Sequence, residues 1–307
     1  MTSLNSVLSK KMHFWDLNQS KFEETDDFPL MSGPGPVCIL LAAYLLFVLK
    51  IGPNYMMKRK PYKLTYTLVG YNALQVALSA FMVYRYFNDL MEMGLFPKKC
   101  HLADDKLRKH VLTSIWIYFA AKLTELLDTV FFILRKKNSQ VTFLHLYHHS
   151  VMFFGTWATL KYWPSHNLVF IGFLNSLVHV LMYSYYGLSA LGPGVAKYLT
   201  WKKYMTTFQL VQFVSIIIQY MVSVKVSDCP PSRAIMYFMI GNTAFFLLLF
   251  LNFYRQSYTK KDKVKATENH AEVKDDICVN GKDNHRNDVE KSYTLQNGNA
   301  VNKEKIK

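Results

Sequence analysis

Long apolar blocks alternate with short polar segments along most of this 307-residue chain. A helix that crosses a bilayer needs roughly 20 mostly apolar residues, and seven blocks approach or reach that length. The pattern therefore predicts an all-α membrane protein with seven transmembrane helices. The first is the weakest, because Pro34, Pro36 and Lys50 shorten its apolar run. The predicted spans cover residues 33–51, 65–87, 111–134, 141–160, 166–188, 205–224 and 233–254.

The two ends of the chain lack this apolar pattern. Residues 1–32 are polar and acidic, without the apolar core of a signal peptide. Residues 256–307 are rich in Lys, Asp, Asn and Glu with few aromatics, a composition that cannot bury a core. We expect a polar amino-terminal segment, one membrane domain at residues 33–255 and a disordered tail at residues 256–307.

The net charge of +15 would favour nucleic-acid binding in a soluble protein, but here its distribution follows the spans. When seven spans alternate between two sides, one side receives most of the basic groups, and the acidic amino terminus falls on the other. The positive-inside rule then predicts a cytosolic carboxyl terminus and an amino terminus across the membrane. The basic groups are Lys58, Arg59, Lys60, Lys63, Arg135, Lys136, Lys137, Lys197, Lys202, Lys203 and the Lys-rich tail.

Short signals outside the spans agree with this orientation. Lys303 and Lys305 form a Lys-x-Lys-x-x ending of the dilysine type, which predicts a multi-pass protein of the endoplasmic reticulum membrane. Asn18 begins an Asn-x-Ser glycosylation acceptor on the predicted lumenal side. Cys100 and Cys229 both fall in predicted lumenal loops, where a disulfide can form, and we expect them to be paired.

Three histidines lie within the fourth apolar block. His145, His148 and His149 stand at helix positions i, i+3 and i+4, so they share one face. Polar side chains at membrane depth are costly unless they face a protein interior or an aqueous cavity. The cluster therefore predicts a site.

Further polar stripes occur in three other predicted spans. Because all of them exceed what helix–helix hydrogen bonding requires, we expect them to line one shared pocket. The third span contributes Lys122, Glu125, Asp128 and Thr129; the fifth Asn175, His179, Met182 and Tyr186, flanked by Tyr183 and Tyr185; the sixth Thr206, Gln209 and Gln212.

Three classes of function compete for such a pocket. Histidines at this spacing can bind metal, as in membrane di-iron oxygenases, although those sites use about eight histidines and four lie at depth here. Intramembrane charges also occur in transporters and seven-helix receptors, but the Asp-Arg-Tyr and Asn-Pro-x-x-Tyr motifs of receptors are missing from this sequence. The third class is catalysis on a lipid-borne substrate. A neutral imidazole is a competent nucleophile when an acceptor such as Asp128 or Asn175 orients it, and no cysteine belongs to the cluster.

Four motifs together resemble the very-long-chain fatty acid elongases. They are KLTELLDT at 122–129, FLHLYHH at 143–149, NSLVHVLMYSYY at 175–186 and TTFQLVQ at 206–212. They occur in the order and spacing of that family, and the likeness covers roughly residues 29–258.

The resemblance implies a 3-oxoacyl-CoA synthase that condenses a long-chain acyl-CoA with malonyl-CoA and releases CO2 and CoA. It implies a fold in which six of the seven helices form an inverted barrel around an acyl-chain tunnel. It also implies an acyl-imidazole intermediate on His148, with malonyl-CoA as co-substrate and neither a metal nor another cofactor. A metal-dependent desaturase or hydroxylase remains the alternative.

The resemblance also assigns roles to the other site residues. His145, His149, Asn175 and His179 would orient the nucleophile or handle the malonyl group, while Lys122 and Asp128 would set the local charge. Substrate-binding groups in the pocket would be Glu125, Tyr183, Tyr186, Gln209 and Gln212. The charge of the CoA phosphates separately predicts that they are held by the basic residues at the cytosolic helix ends, namely Arg135, Lys136, Lys137, Lys202, Lys203 and Arg255. The expected partners are the bilayer, other enzymes of the elongation cycle and further copies of the chain, but not nucleic acid.

Overall fold

The computed structural model describes residues 19–96, 102, 104–227 and 233–259. Across those residues the regular secondary structure is helical throughout, without a strand. The prediction of an all-α membrane protein is therefore confirmed. Asn18, Cys100, Cys229, Lys303 and Lys305 lie outside the described residues, so their predicted modifications, pairing and retrieval role stay predictions.

Eight helices of eight residues or more carry the described part of the chain, and a four-residue helix lies at Pro193–Ala196. Helix α1 contains a π-helical turn at Phe47–Ile51, and Asp104 caps the start of α3 by accepting a 2.8 Å hydrogen bond from the backbone N–H of Leu107. The helices are α1 (Pro34–Met57), α2 (Thr65–Met93), α3 (Asp105–Glu125), α4 (Leu127–Leu134), α5 (Phe143–Tyr162), α6 (Asn167–Ala190), α7 (Lys202–Val226) and α8 (Arg233–Tyr254).

The predicted third span, 111–134, is not one continuous helix. A turn at Leu126 separates α3 from α4, and the backbone N–H of Leu126 bonds the carbonyl of Leu123, three residues back, at 3.3 Å. The interruption follows directly after Glu125, whose side chain is tied to groups on its own helix and on α6. The break therefore lies at the polar centre of the span.

Five of the described helical segments are long and apolar enough to cross a membrane, namely α1, α2, α6, α7 and residues 235–258. The other long segments, α3–α4 and α5, contain the charged residues and the histidines, which lower their mean hydropathy. The molecule is thus a multi-pass membrane protein. The count of seven spans and the inverted barrel stay predictions.

Close helix packing surrounds the central part of the molecule. Helices α2 and α6 share the most extensive contact, and α3 packs on α5 and α7 on α6. Between α2 and α6 the aromatic ring of Tyr86 lies against the backbone of Gly172. Phe119 on α3 stacks on Phe153 on α5 with ring centroids 5.4 Å apart, and both side chains are fully buried.

Basic segments gather at one end of the helices. The backbone N–H of Tyr62, between α1 and α2, donates to the carbonyl of Leu134 at the end of α4. Lys136 Nζ donates to the carbonyl of Met57 at 3.3 Å. Residues 58–63 and 135–137 therefore lie together, and we call this the basic end. The grouping agrees with the alternation that predicts one basic side.

The amino-terminal segment docks at the opposite end. Lys161, at the end of α5, is fully buried and donates to Ser20 Oγ at 2.9 Å, Asp26 Oδ1 at 2.9 Å and the carbonyl of Met31 at 2.6 Å. Arg108 at the start of α3 pairs with Glu24 at 2.6 Å. Burial raises the pKa of Glu24, but the hydrogen bond and charge of Arg108 outweigh it and hold that pKa below its ordinary value. The segment is thus tied to two helices by buried cations.

The chain divides into two compact units, Met1–Leu251 and Asn252–Lys307. The second unit is described as far as a π-helical turn at Arg255–Thr259. The domain boundaries expected at residues 32 and 255 stay predictions.

Candidate functional site

The histidine cluster occupies the first two turns of α5. Thr142 caps this helix, since its Oγ1 accepts from the backbone N–H of His145 at 3.3 Å. The imidazole rings of His145 and His149 lie 4.3 Å apart between centroids, and those of His148 and His149 lie 5.3 Å apart. The three rings therefore form one contiguous cluster, with His149 in contact with both of the others.

A cavity opens beside this cluster, and its empty volume of about 870 Å³ includes space that is open to solvent. His148 is the member of the cluster that lines it, whereas His145 and His149 are not part of its lining. Its polar lining includes Asn175, Gln212 and Asn242, and its apolar lining includes Ile115, Met152, Leu168, Ile171, Phe213, Ile216 and Phe246.

The cavity runs away from the basic end. On α5 the lining extends from His148 to Thr159, eleven residues further along, which corresponds to about 16 Å of helix. His148, Asn175 and Gln212 stand towards the start of this path, and Leu168 lies further along it. A mostly apolar channel with polar groups near its start can accept an alkyl chain with a reactive head group.

Lys122 is the centre of a buried polar network beside the cavity. Its Nζ contacts both carboxylate oxygens of Glu125, at 2.8 and 3.0 Å, and Oδ1 of Asn175 at 2.8 Å. Tyr118 donates to the same Asn175 oxygen at 2.7 Å. Opposite charges make burial tolerable, because each offsets the desolvation of the other. The network fixes the amide of Asn175, which lines the cavity.

The carboxylates of Glu125 and Asp128 have different hydrogen-bond partners from those expected from the sequence. Asp128 and Asn175 were the expected acceptors for a histidine. Instead, Glu125 Oε1 lies 3.0 Å from Nδ1 of His179, and Asp128 accepts from Tyr183 at 2.8 Å. The physical reason is the turn at Leu126, which separates Glu125 on α3 from Asp128 on α4.

A second chain of hydrogen bonds reaches the histidines from α1. Thr129 Oγ1 lies 2.9 Å from Nε2 of His145 and 2.7 Å from the hydroxyl of Tyr44. Tyr44 was missed, because nothing in its local sequence separates it from other apolar positions of α1. Tyr118 was also missed, although it lies four residues before Lys122 and therefore on the same face of α3.

Residues 29–266 of the chain match the ELO family, also described as the GNS1/SUR4 family. The chain belongs to the ELO family. The match covers the histidine cluster, the Lys122 network and every described residue of the cavity wall, and it confirms the family resemblance drawn from four motifs.

Named relatives of this ELO chain extend over most of its length. It is 37% identical over 310 residues to human very long chain fatty acid elongase 4, covering 100% of this chain and 94% of that protein. It is 36% identical to elongase 7 of Rattus norvegicus, covering 86% of this chain and 96% of the relative. Human elongase 1 is 40% identical, over 76% and 85% respectively.

The other predicted binding residues of the ELO chain differ in whether they line the cavity and in how deeply they are buried. Gln212 lines the cavity, whereas Gln209 is half-buried and outside the lining. Tyr183 is fully buried, while Tyr186 is exposed and its ring packs 6.2 Å from that of Tyr183. The basic candidates are surface groups: Arg135 is half-buried, and Lys136, Lys137, Lys202, Lys203 and Arg255 are exposed.

The metal interpretation requires a set of ligands around one point. Within residues 19–96, 102, 104–227 and 233–259, no three His, Cys, Asp or Glu side chains are grouped so as to hold a metal ion. Nδ1 of His179 is paired with Glu125 and Nε2 of His145 with Thr129, so one ring nitrogen of each has another partner.

Proposed function

We propose that this ELO protein is a fatty acid elongase that condenses a long-chain acyl-CoA with malonyl-CoA to give a 3-oxoacyl-CoA, CO2 and CoA. The carrying observation is the position of His148 at the polar start of a mostly apolar cavity. An alkyl chain in the cavity would place its thioester beside that imidazole. The relatives named as very long chain fatty acid elongases support the same reaction class.

The proposed chemistry proceeds through an acyl group on His148. The neutral imidazole attacks the thioester carbonyl carbon, the carbon–sulfur bond breaks, and the imidazole proton passes to the leaving CoA thiolate. Malonyl-CoA then loses CO2, and the resulting enolate carbon attacks the acyl-imidazole. The carbon–nitrogen bond breaks, the 3-oxoacyl-CoA leaves, and the departing imidazolate takes up a proton that comes from solvent through His179.

Neighbouring groups supply orientation and charge in this proposal. Because Lys122 and Tyr118 both contact Oδ1 of Asn175, its amide Nδ2 is the remaining donor for the oxyanion that forms at the thioester carbonyl. His179, held by Glu125, is the proton carrier proposed for the malonyl step. His145 and His149 position His148 through their ring contacts, and Asp128 with Tyr183 supports this end of α6.

Water exclusion favours this site for an acyl-imidazole. The cavity walls come from six helices and are mostly apolar, so water would compete poorly with malonyl-CoA for the acyl group. The basic end lies on the side of α5 where the histidines are, and exposed Arg and Lys groups there would hold the anionic CoA phosphates. No cofactor beyond malonyl-CoA enters the proposed cycle.

We place the activity in the endoplasmic reticulum membrane, with the basic end cytosolic and the amino terminus lumenal. CoA esters would then reach the site from the cytosol. The distribution of basic residues along the chain supports this orientation through the positive-inside rule.

Replacing His148 tests the proposed function. Purified His148→Ala should lose condensation of long-chain acyl-CoA with malonyl-CoA by about 10⁴-fold or more, since nucleophile loss in enzymes has effects of that order. His110→Gln is the matched control, because that side chain is 46% exposed, lies at the opposite end of the molecule and, as Gln, keeps a hydrogen-bond donor near the buried carboxylate of Asp89.

The assay also separates the alternative function. Robust 3-oxoacyl-CoA formation by folded His148→Ala would contradict the nucleophile assignment. A wild-type protein that contains stoichiometric iron and yields a desaturated or hydroxylated product would instead support the metal-dependent oxidoreductase.

A further inference from the structure

Gly172 on α6 is a point where only a hydrogen atom fits. A Cβ atom added there would lie 2.3 Å from Cε2, 2.6 Å from Cζ and 2.9 Å from the hydroxyl oxygen of Tyr86. Tyr86 is fully buried, and its ring also forms part of the cavity wall. The absence of a side chain at position 172 therefore determines where this ring lies.

The Tyr86 ring stands about one helical turn beyond the reactive end of the cavity. Tyr118 hydrogen bonds Asn175, and Tyr86 hydrogen bonds the carbonyl of Ser114 at 3.3 Å. Ser114 precedes Tyr118 by four residues on α3, which is about 6 Å of helix. Gly172 precedes Asn175 by three residues on α6, about 4.5 Å. Both helices thus put the ring at the same level, along the path towards Leu168.

Packing restricts where the ring can move. The rings of Tyr86 and Tyr118 meet edge to face at 6.2 Å, and the Tyr86 side chain is closely packed and buried from bulk solvent. Protein interiors leave little free volume, so the cavity is the main open space next to the ring. A side chain at position 172 would push the ring into that space and narrow it.

We propose that Tyr86 and Gly172 form a width gauge that determines which acyl chains pass into the far part of the cavity. With glycine at 172 the ring stays against α6, and a linear chain can extend beyond it. A ring displaced by a methyl group would stop long chains but leave room for short ones. A smaller side chain at 86 would admit chains that carry a methyl branch at this depth. This inference rests on the proposed function and names the shape of its substrate.

The test measures binding and turnover separately. Binding is measured as thermal stabilisation of the purified full-length protein by unreactive S-alkyl-CoA thioethers of increasing length. Gly172→Ala should lose affinity for the longest thioethers by about tenfold or more relative to the shortest, since one methylene in an apolar site is worth that much. Tyr86→Leu should raise binding of methyl-branched over linear thioethers.

A double variant and a matched glycine control exclude general damage. Gly172→Ala with Tyr86→Leu should recover long-chain binding, because the collision disappears with the ring. Gly70→Ala makes the same change at an exposed position of α2, where a Cβ meets nothing within 4 Å. This variant should keep the wild-type dependence of binding on chain length. An unchanged length profile in folded Gly172→Ala, or a double variant no better than Gly172→Ala, would overturn the gauge.

Turnover with the matching acyl-CoA series distinguishes this inference from the proposed function. If thioether binding depends on chain length as expected in each variant but wild-type protein forms no condensation product, the inference about Tyr86 and Gly172 is supported and the proposed function is contradicted. If wild-type and Gly172→Ala protein form product with the same chain-length profile, the gauge fails and the proposed function stands.

Discussion

The buried cation at the centre of the site shows how single residues set the energetics of this membrane domain. Lys122 is 2% exposed and has three oxygen contacts within 3.0 Å, from Glu125 and Asn175. A charge at that depth is stable only while its partners remain. The same contacts hold Asn175 at the cavity wall, so stability and site geometry depend on one side chain.

Removing this cation should destabilise the protein strongly. Lys122→Met leaves the Glu125 carboxylate buried without its main counter-charge, a change that costs about 3–5 kcal/mol in buried pairs. The thermal unfolding temperature of purified protein in detergent should fall accordingly. Lys225→Met, at an exposed position near the end of α7, should change it little.

The paired substitution separates charge imbalance from lost packing. Lys122→Met combined with Glu125→Gln removes both charges, and its unfolding temperature should lie above that of Lys122→Met alone. If the double variant unfolds at the same temperature as the single variant or below it, the ion pair is not what stabilises this position.

At the scale of helices, the positions of the functional groups depend on where a helix is interrupted and where it begins. The turn at Leu126 directs Glu125 towards His179 and Asp128 towards Tyr183. Thr142 begins α5 just before the histidines, so they occupy its first two turns next to the basic end. A strict 3.6-residue periodicity through residues 122–129 puts both carboxylates on one continuous face. The structure instead divides them between two helices.

The end of α5 should control the docking of the amino-terminal segment. Lys161 holds residues 20–31 through three hydrogen bonds, and hydrogen bonds to a charged group contribute about 1.5–3 kcal/mol each. Lys161→Met should therefore speed proteolytic cleavage within this segment by about tenfold or more. Limited proteolysis followed by mass spectrometry measures the rate.

A milder variant distinguishes the loss of this anchoring contact from unfolding of the end of α5. Asp26→Asn keeps Lys161 and weakens only one of its contacts, so cleavage should rise by less than in Lys161→Met. Lys106→Met, at an exposed position on α3, should leave the rate unchanged. Equal cleavage rates in all four proteins would mean that Lys161 does not anchor the segment.

For the whole molecule, the hydropathy of the sequence predicted the helical fold and the approximate ends of its helices. Every predicted span is helical in the described residues, the third as two helices, α3 and α4, because 20-residue apolar runs have few alternatives in a bilayer. Helix ends differ by a few residues, and α2 continues to Met93 because its last turns remain helical beyond the apolar run. Capping by Asp104 explains the early start of α3.

The site was predictable only as far as one helix at a time. Spacing placed His145, His148 and His149 on one face and Lys122 with Glu125 on another. It could not indicate contacts between helices, such as Tyr44 with Thr129, because these depend on packing. For the same reason the sequence did not distinguish the histidine that lines the cavity from its neighbours. The family resemblance singled out His148, and the cavity geometry provides independent support.

The central claim is that His148 carries the acyl group, and peptide mass spectrometry tests it most directly. Purified protein would be incubated with long-chain acyl-CoA in the absence of malonyl-CoA, digested under mild conditions and searched for acylated peptides. We predict a mass increase equal to the acyl group on the peptide that contains His148, which disappears when malonyl-CoA is added before quenching. An acyl group on a different residue, or condensation product formed in a single turnover without any acylated protein, would contradict the account.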